Sequence, residues 1–336
     1  MDGGLKQPGR LAELDAMRGI AALCVVLYHF NYKYAQYNPA HGELPLLFGW
    51  GHHGVSIFFA ISGFVISMTL ERMSCVASFA WARFSRLFPV YWSAMAVTLA
   101  VVALADNTRL MVTPPEALAN ATMLHYWFDI QSVDGSYWSL SIELSFYLVM
   151  AAVLHLRQLH RLEPILAGWL ALHLLQVTTG ILPVWASRML ALDYIPLFAI
   201  GMIHYRYHRG MIAWQRTLAW HLVLIGISAL TGTSAAIVAA GTTAVFWAMT
   251  SGLLRFVAHP ILLWLGAISY PLYLIHQYVG YVLIDQLAGA GLSLLMASVM
   301  ALLAVTGLAH LLHIWVEDPA QRRLRSAQRR QMTPAE

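Results

Sequence analysis

The segment LDAMRGIAALCVVLYHF, Leu14 to Phe30, is almost wholly apolar yet holds an arginine and a histidine eleven residues apart. Such a run meets lipid more readily than water, and an ionisable side chain in lipid is expensive enough to suggest a function. At 3.6 residues per turn, eleven residues make just over three turns, so Arg18 and His29 share a helix face and stand ~16 Å apart along the axis. One helix thus joins two polar points at different depths. Two roles fit at this stage. Arg18 could snorkel to headgroups while His29 rests at the opposite interface, or both could serve chemistry inside a bundle.

The rest of the chain repeats this composition. Of 336 residues, 59% are hydrophobic and 11% charged, with a mean hydropathy of +0.63. That leaves too few charges to cover a soluble globule of this size, so the chain reads as an all-α, polytopic transmembrane helical bundle. The first ten residues, MDGGLKQPGR, are polar, and no small-residue cleavage site follows the first apolar run. No cleavable signal is therefore expected, and the first helix should stay in the mature protein. Cys24 and Cys75 are the two cysteines, too few for a disulfide framework or a cysteine-rich metal site. The pI of 9.1 does not point to nucleic acid, because the basic residues are scattered between apolar runs and so report membrane topology.

Ten apolar segments, roughly 14–31, 54–71, 86–105, 138–156, 163–180, 187–205, 216–231, 233–254, 260–284 and 291–315, predict about ten transmembrane helices. The division between the seventh and eighth rests on the tetrapeptide TGTS, Thr231 to Ser234. With the amino terminus inside, 17 of the 20 Lys and Arg fall on the cytoplasmic side, leaving Lys33, Arg109 and Arg188 outside. Both termini are accordingly expected in the cytoplasm. The two longest outer connections, about 32–53 and 106–137, are rich in Tyr, His and Trp, which suits an interfacial surface better than an extra domain. Residues 1–320 then form one membrane domain and 321–336 a basic cytoplasmic tail.

Polar residues at the helix ends supply the candidate chemistry. WARFSRLFPVYW, read as the connection between the second and third helices, sets Arg83 and Arg86 one turn apart at the inner surface. Two guanidinium groups at that spacing can fork around a phosphate, or can simply anchor the topology. The fourth helix opens with SYWSLSIELSFYLVM, which puts Glu143 ~8 Å below the outer surface. Ser136, Ser139, Glu143 and Tyr147 follow helical spacing and form one polar stripe facing protein or water. Glu143 and Asp193 read as the carboxylates buried within the apolar runs, and Glu143 shares the outer half of the membrane with His29. A carboxylate that reaches an imidazole fixes its tautomer and supports a general base; the alternative is a structural Glu bonded to neighbouring hydroxyls. In GVSIFFAISGFVISM, Ser62 and Gly63 interrupt a bulky helix, for close packing or for a substrate passage. In ISYPLYLIHQYV, Ser269, Tyr270, Tyr273 and His276 decorate the ninth helix. His276, ~24 Å from that helix's cytoplasmic start, is either a second catalytic histidine or a groove residue. No nucleotide loop or zinc-site spacing is present.

In this order, LDAMRGIAALCVVLYHF, GVSIFFAISGFVIS, WARFSRLFPVYW, YWSLSIELSFYL, SYPLYLIHQ and VEDPAQRRL resemble the bacterial acyltransferase-3 family of integral membrane O-acyltransferases, over the whole chain. The resemblance puts the family's arginine–histidine spacing on Arg18 and His29, its paired arginines on Arg83 and Arg86, and its serine–glutamate motif on Ser139 and Glu143. It implies transfer of an acyl group, commonly acetyl, from cytoplasmic acyl-CoA to a hydroxyl of a carbohydrate or lipid-linked glycan, often on the outer side of the bacterial inner membrane. Acyl-CoA is then a co-substrate, and neither a resident cofactor nor a metal is expected. On this reading Arg18, Arg83 and Arg86 hold acyl-CoA. His29, oriented by Glu143, is the base that deprotonates the acceptor, directly or through an acyl-histidine. Ser139, Tyr270, Tyr273 and His276 line an acceptor groove. Two features depart from the family pattern. Members often carry a fused extracytoplasmic hydrolase-like domain where this sequence has a basic tail, so transfer is expected to be completed alone or with a separate extracytoplasmic protein, and SRLFPVYW replaces the commoner arginine–isoleucine form. The competing class is a proton-coupled transporter or flippase, with His29, Glu143 and His276 as a proton relay. Such a carrier has no need of the arginine pair.

Overall fold

The computed structural model describes residues 11–42, 44, 48–73 and 75–324, among which there is no strand. Ten helices of fourteen or more residues run through it: α1 (Ala12–Tyr28), α2 (Gly54–Glu71), α3 (Val76–Leu104), α4 (Trp138–His155), α5 (Leu162–Thr179), α6 (Ile195–His208), α7 (Trp214–Thr231), α8 (Thr233–Thr250), α9 (Ser269–Gly289) and α10 (Leu294–Leu312). Each apolar segment of the sequence overlaps one of them, although the sixth and ninth segments begin in the separate short helices Val184–Met189 and Pro260–Ala267. Five stretches, Gly49–Glu71, Val76–Leu104, Trp138–His155, Thr233–Thr250 and Leu294–Leu324, are long and apolar enough to cross a membrane. The outward faces agree with that: Leu222 and Leu230 of α7, Ile237 of α8 and Leu303 of α10 are all exposed, a pattern that water would penalise and lipid would not.

The hub of the bundle is the contact of α2 with α6. A Cβ built on Gly63 would lie 2.1 Å from the Phe198 carbonyl oxygen, and one on Gly201 only 1.8 Å from that of Ala60. The two backbones therefore touch, an approach that glycine alone permits. Gly63 thus serves packing, while its neighbour Ser62 faces a cavity. The TGTS break is also built on a glycine. Gly232 has φ +142° and folds α8 back onto α7 after a single intervening residue.

Three expectations change. WARFSRLFPVYW is not a loop, because α3 already begins at Val76 and carries Arg83, Arg86 and even Pro89 within it. The polar residues that resembled a boundary face the protein interior, so they do not end the helix. Asp193, expected to be buried, is exposed between the short helix Val184–Met189 and α6. The buried carboxylates among the described residues are Asp134, Glu163 and Glu317. At the carboxyl end, α10 continues through a π-turn, His313–Glu317, into a helix that reaches Leu324. The expected boundary at 320 therefore lies inside a helix; Lys6, Arg10 and residues 325–336 lie outside the described residues.

The 105–137 connection is ordered. Thr113 and Glu116 form a capping box at the start of the helix Pro114–Ala121. Asn120 then ties that helix to the returning chain by bonds with the Gln131 carbonyl and the Val133 amide.

Candidate active site

A cavity of about 840 Å³ follows α2 along its length, from Val55, its second residue, to Arg72, just past its end. Seventeen helical steps make that span ~25 Å. Helices α1, α3, α4, α6 and α9 and the 313–321 segment supply the other walls. Arg18, Arg83, Arg86, Ser139, Glu143, Tyr270 and Tyr273 all line this one space, so residues scattered over 255 positions of sequence meet there. His29 and His276 do not line it.

At one end of the cavity stand Arg18 on α1 and Arg83 and Arg86 on α3, joined by Arg72. Arg18, Arg83 and Arg86 are half-buried, and among the described residues none of the three ion-pairs with a carboxylate. Arg83 lies between the Phe79 and Tyr147 rings, 5.8 Å from each centroid, and its buried Nε has no partner. Guanidinium groups withdrawn from water without an anion are costly. A phosphate-bearing ligand is the kind that three such groups converging on one space would relieve. Glu317, Asp318 and Gln321, from the VEDPAQRRL motif, line the same end.

Glu143 sits midway along the cavity and is not the partner of His29. It accepts hydrogen bonds from Ser62 Oγ at 3.0 Å and from the Tyr147 hydroxyl, and no hydrogen bond joins it to His29. The spacing argument put the two at one depth but could not show which faces they present, and the faces differ. Tyr147 was visible in the sequence as the next step of the polar stripe. Ser62 carried no signal beyond its small size.

Toward the far end of the cavity stand Phe58 and Tyr273, whose rings meet edge to face at 5.7 Å. The Tyr273 hydroxyl is 2.7 Å from Ser139 Oγ, and the Tyr270 hydroxyl donates to the Leu87 carbonyl at 3.1 Å. Beyond Tyr273 lies His276, fully buried. Its Nδ1 is 2.7 Å from the Tyr273 carbonyl, and its Nε2 is 3.1 Å from Nδ1 of His29. His29 Nδ1 is in turn 2.8 Å from the Val25 carbonyl. Carbonyl oxygens only accept, so both Nδ1 atoms carry hydrogen. His276 Nε2 is then a lone pair that receives a share of the His29 Nδ1 hydrogen, and His29 Nε2 remains a free base. The orienting role expected of Glu143 thus falls to Val25 and His276. His29 also opens the π-turn His29–Lys33, a distortion common at functional positions.

The described residues contain no group of three or more His, Cys, Asp or Glu arranged to hold a metal. Hydroxyls, imidazoles and an arginine-lined channel together equip the site for acyl or proton transfer between its two ends.

Residues 11–314 match the model of a family described as an acyltransferase domain. The chain is 27% identical to nodulation protein 10 of Rhizobium leguminosarum over 315 residues, covering 82% of this chain and 84% of that protein. It is 26% identical over 159 residues to the peptidoglycan O-acetyltransferase OatA of Listeria monocytogenes, covering 42% of this chain and 24% of that protein. With the O-acetyltransferase OatA of Staphylococcus aureus the figures are 26% over 174 residues, 47% and 26%. The chain thus spans about a quarter of these two longer relatives. No solved structure matches it significantly.

Proposed function

The chain belongs to this acyltransferase family, and we propose that it is a membrane O-acyltransferase that carries an acyl group, commonly acetyl, from cytoplasmic acyl-CoA to a hydroxyl of a carbohydrate or lipid-linked glycan on the outer side. The cavity supports this reading above all: it has three guanidinium groups without carboxylate partners at one end and the Ser139 and Tyr273 hydroxyls toward the other, with the His29–His276 pair lying beyond its lining. The O-acetyl group and the peptidoglycan named for its relatives support acetyl as the group and a glycan as the acceptor. The reading sets all ten helices in the bacterial inner membrane with both termini cytoplasmic. Acyl-CoA is a co-substrate, and a separate extracytoplasmic protein can take the group onward.

Arg83 and Arg86 fork around the CoA diphosphate with Arg18 beside them, and the pantetheine arm extends along α2. His29 Nε2 takes the proton from the acceptor hydroxyl as that oxygen attacks the thioester carbonyl. The carbon–sulfur bond breaks, and the departing CoA thiolate recovers the proton from the imidazolium. His276 Nε2 holds the His29 Nδ1 hydrogen throughout and so stabilises the charged ring. An acyl-histidine serves the same balance when the acceptor arrives after the donor has left. For the thioester to meet His29, the residues between the cavity and that ring, Tyr273 among them, must move.

The test is acetyl-CoA affinity of purified Arg83→Ala and Arg86→Ala. Charged hydrogen bonds contribute about 1.5–3 kcal/mol, so each variant should bind roughly tenfold or more weakly. Arg86→Lys should recover only part, because an ammonium lacks the fork. Unchanged affinity in both alanine variants would leave the pair a topology signal.

A further inference from the structure

An open groove of about 470 Å³ lies where the 105–137 connection meets the first residue of α4 and the residue just before α6. Three rings run along it: the Tyr126 and Trp138 centroids are 6.0 Å apart, and those of Trp138 and Tyr194 5.4 Å. All three rings are half-covered, and they are held in place. Arg188 lies over Tyr126, its Cζ 4.1 Å from the centroid, and donates to the Tyr126 carbonyl at 2.5 Å and to Asp129 at 3.1 Å. Asp129 and Gln131 stand exposed beside the rings. The floor is Gly135, where a Cβ would come within 2.4 Å of Gln277 Nε2. Gln277 is 8% exposed, and its Oε1 has no donor among the described residues.

Flat aromatic faces bordered by a carboxylate and amides fit a ring that has an apolar C–H face and a rim of hydroxyls. An acyl chain would require a deep apolar pocket, and a phosphate would require a cation not already paired; Arg188 is paired with Asp129. We propose that the groove is a subsite for a sugar ring of the acceptor, on the same glycan as the acylated ring but removed from it. The proposal rests on the reading of the chain as an O-acyltransferase with a carbohydrate acceptor. Position argues for it twice. Phe59 lines the cavity and also packs 6.3 Å from Trp138 and 5.0 Å from Tyr194, so groove and cavity are two sides of one ring. Gln277, under the groove floor, follows His276 directly. Successive helix residues point about 100° apart, so the groove floor and His29 meet different faces of α9. A ring in the groove therefore cannot itself present its hydroxyl to His29, whereas a ring linked to it can.

Acceptor length is consequently what the groove reads. The probes are cellotetraose and chitotetraose against their monosaccharides, with the full-length protein in nanodiscs. Binding without donor is followed by saturation-transfer NMR and transfer by label from acetyl-CoA. The native protein should bind at least one tetrasaccharide and favour it over the monosaccharide in kcat/KM. In Tyr126→Ala and Gln131→Ala that preference should fall about tenfold, together with tetrasaccharide affinity, while Trp138→Phe keeps most of it. Acetyl-CoA affinity reports that each variant is folded. Failure of both tetrasaccharides to bind, or a length preference untouched by Tyr126→Ala and Gln131→Ala, overturns the subsite even where acetyl transfer proceeds. Tetrasaccharide binding that depends on Tyr126 and Gln131 supports it, and when no transfer accompanies that binding it is the acyl-transfer reading that fails.

Discussion

Alanine at His29 removes the ring nitrogen that the hydrogen bonds of Val25 and His276 leave as a free base. His29→Ala should still insert and bind acetyl-CoA but lose transfer by roughly 10²–10⁴-fold. Near-normal turnover in membranes at matched expression would pass the role to another group. His276→Ala should fall in the same direction by less, and the double variant should be little worse than His29→Ala, since both act on one proton transfer. Glu143→Gln is the contrast. Its carboxylate holds Ser62 and Tyr147, so its loss should multiply with that of His29→Ala, and a non-additive pair would show that the two couple in the working state. Helical spacing marked the Ser139–Glu143–Tyr147 stripe as facing protein or water, and left Arg18 and His29 open between the membrane interfaces and the interior. It could not assign partners, because a shared depth leaves the azimuth of each helix undetermined. The His29–His276 contact joins residues 247 apart, beyond the reach of any local pattern.

The wall of the channel depends on how closely α2 meets α6. Gly201→Ala places a methyl where the Ala60 carbonyl oxygen already sits, 1.8 Å from the ideal Cβ, so the helices must separate. Overpacking of this kind costs about 1–3 kcal/mol. The variant should melt several degrees lower and bind acetyl-CoA more weakly, because Ser62 and Arg72 move with α2. Unchanged melting and affinity would mean that α2 is not fixed against α6 as described. Gly226→Ala, with open space around its Cβ, should do neither harm. The apolar runs located α2 closely, yet they misplaced the starts of α3, α6 and α9 by ten, eight and nine residues. A hydropathy window reads Arg83 and Arg86 as a boundary, whereas in the folded bundle those side chains turn inward to the cavity and the backbone continues as helix.

Seen across the whole bundle, one end gathers the chain's inner charges by direct contact, whatever membrane surrounds it. Glu71, the last residue of α2, pairs with Arg209, just past α6, at 2.9 Å. Trp81, near the start of α3, donates to the Leu324 carbonyl at 3.1 Å. The connection after α2, the connection after α6 and the helix leading to the carboxyl terminus therefore lie on the same side. On the proposed topology, which follows the distribution of Lys and Arg, that side is the cytoplasm. Reporters placed in the loop at Arg209 and after Glu336 should both read inside, and one placed near Arg109, beyond the other end of α3, should read outside. A split reading between Arg209 and Glu336 would contradict the packing itself. Agreement between those two on the outer face would keep the fold and invert the membrane assignment, delivering acyl-CoA's arginines to the wrong compartment and removing the donor from the proposed reaction.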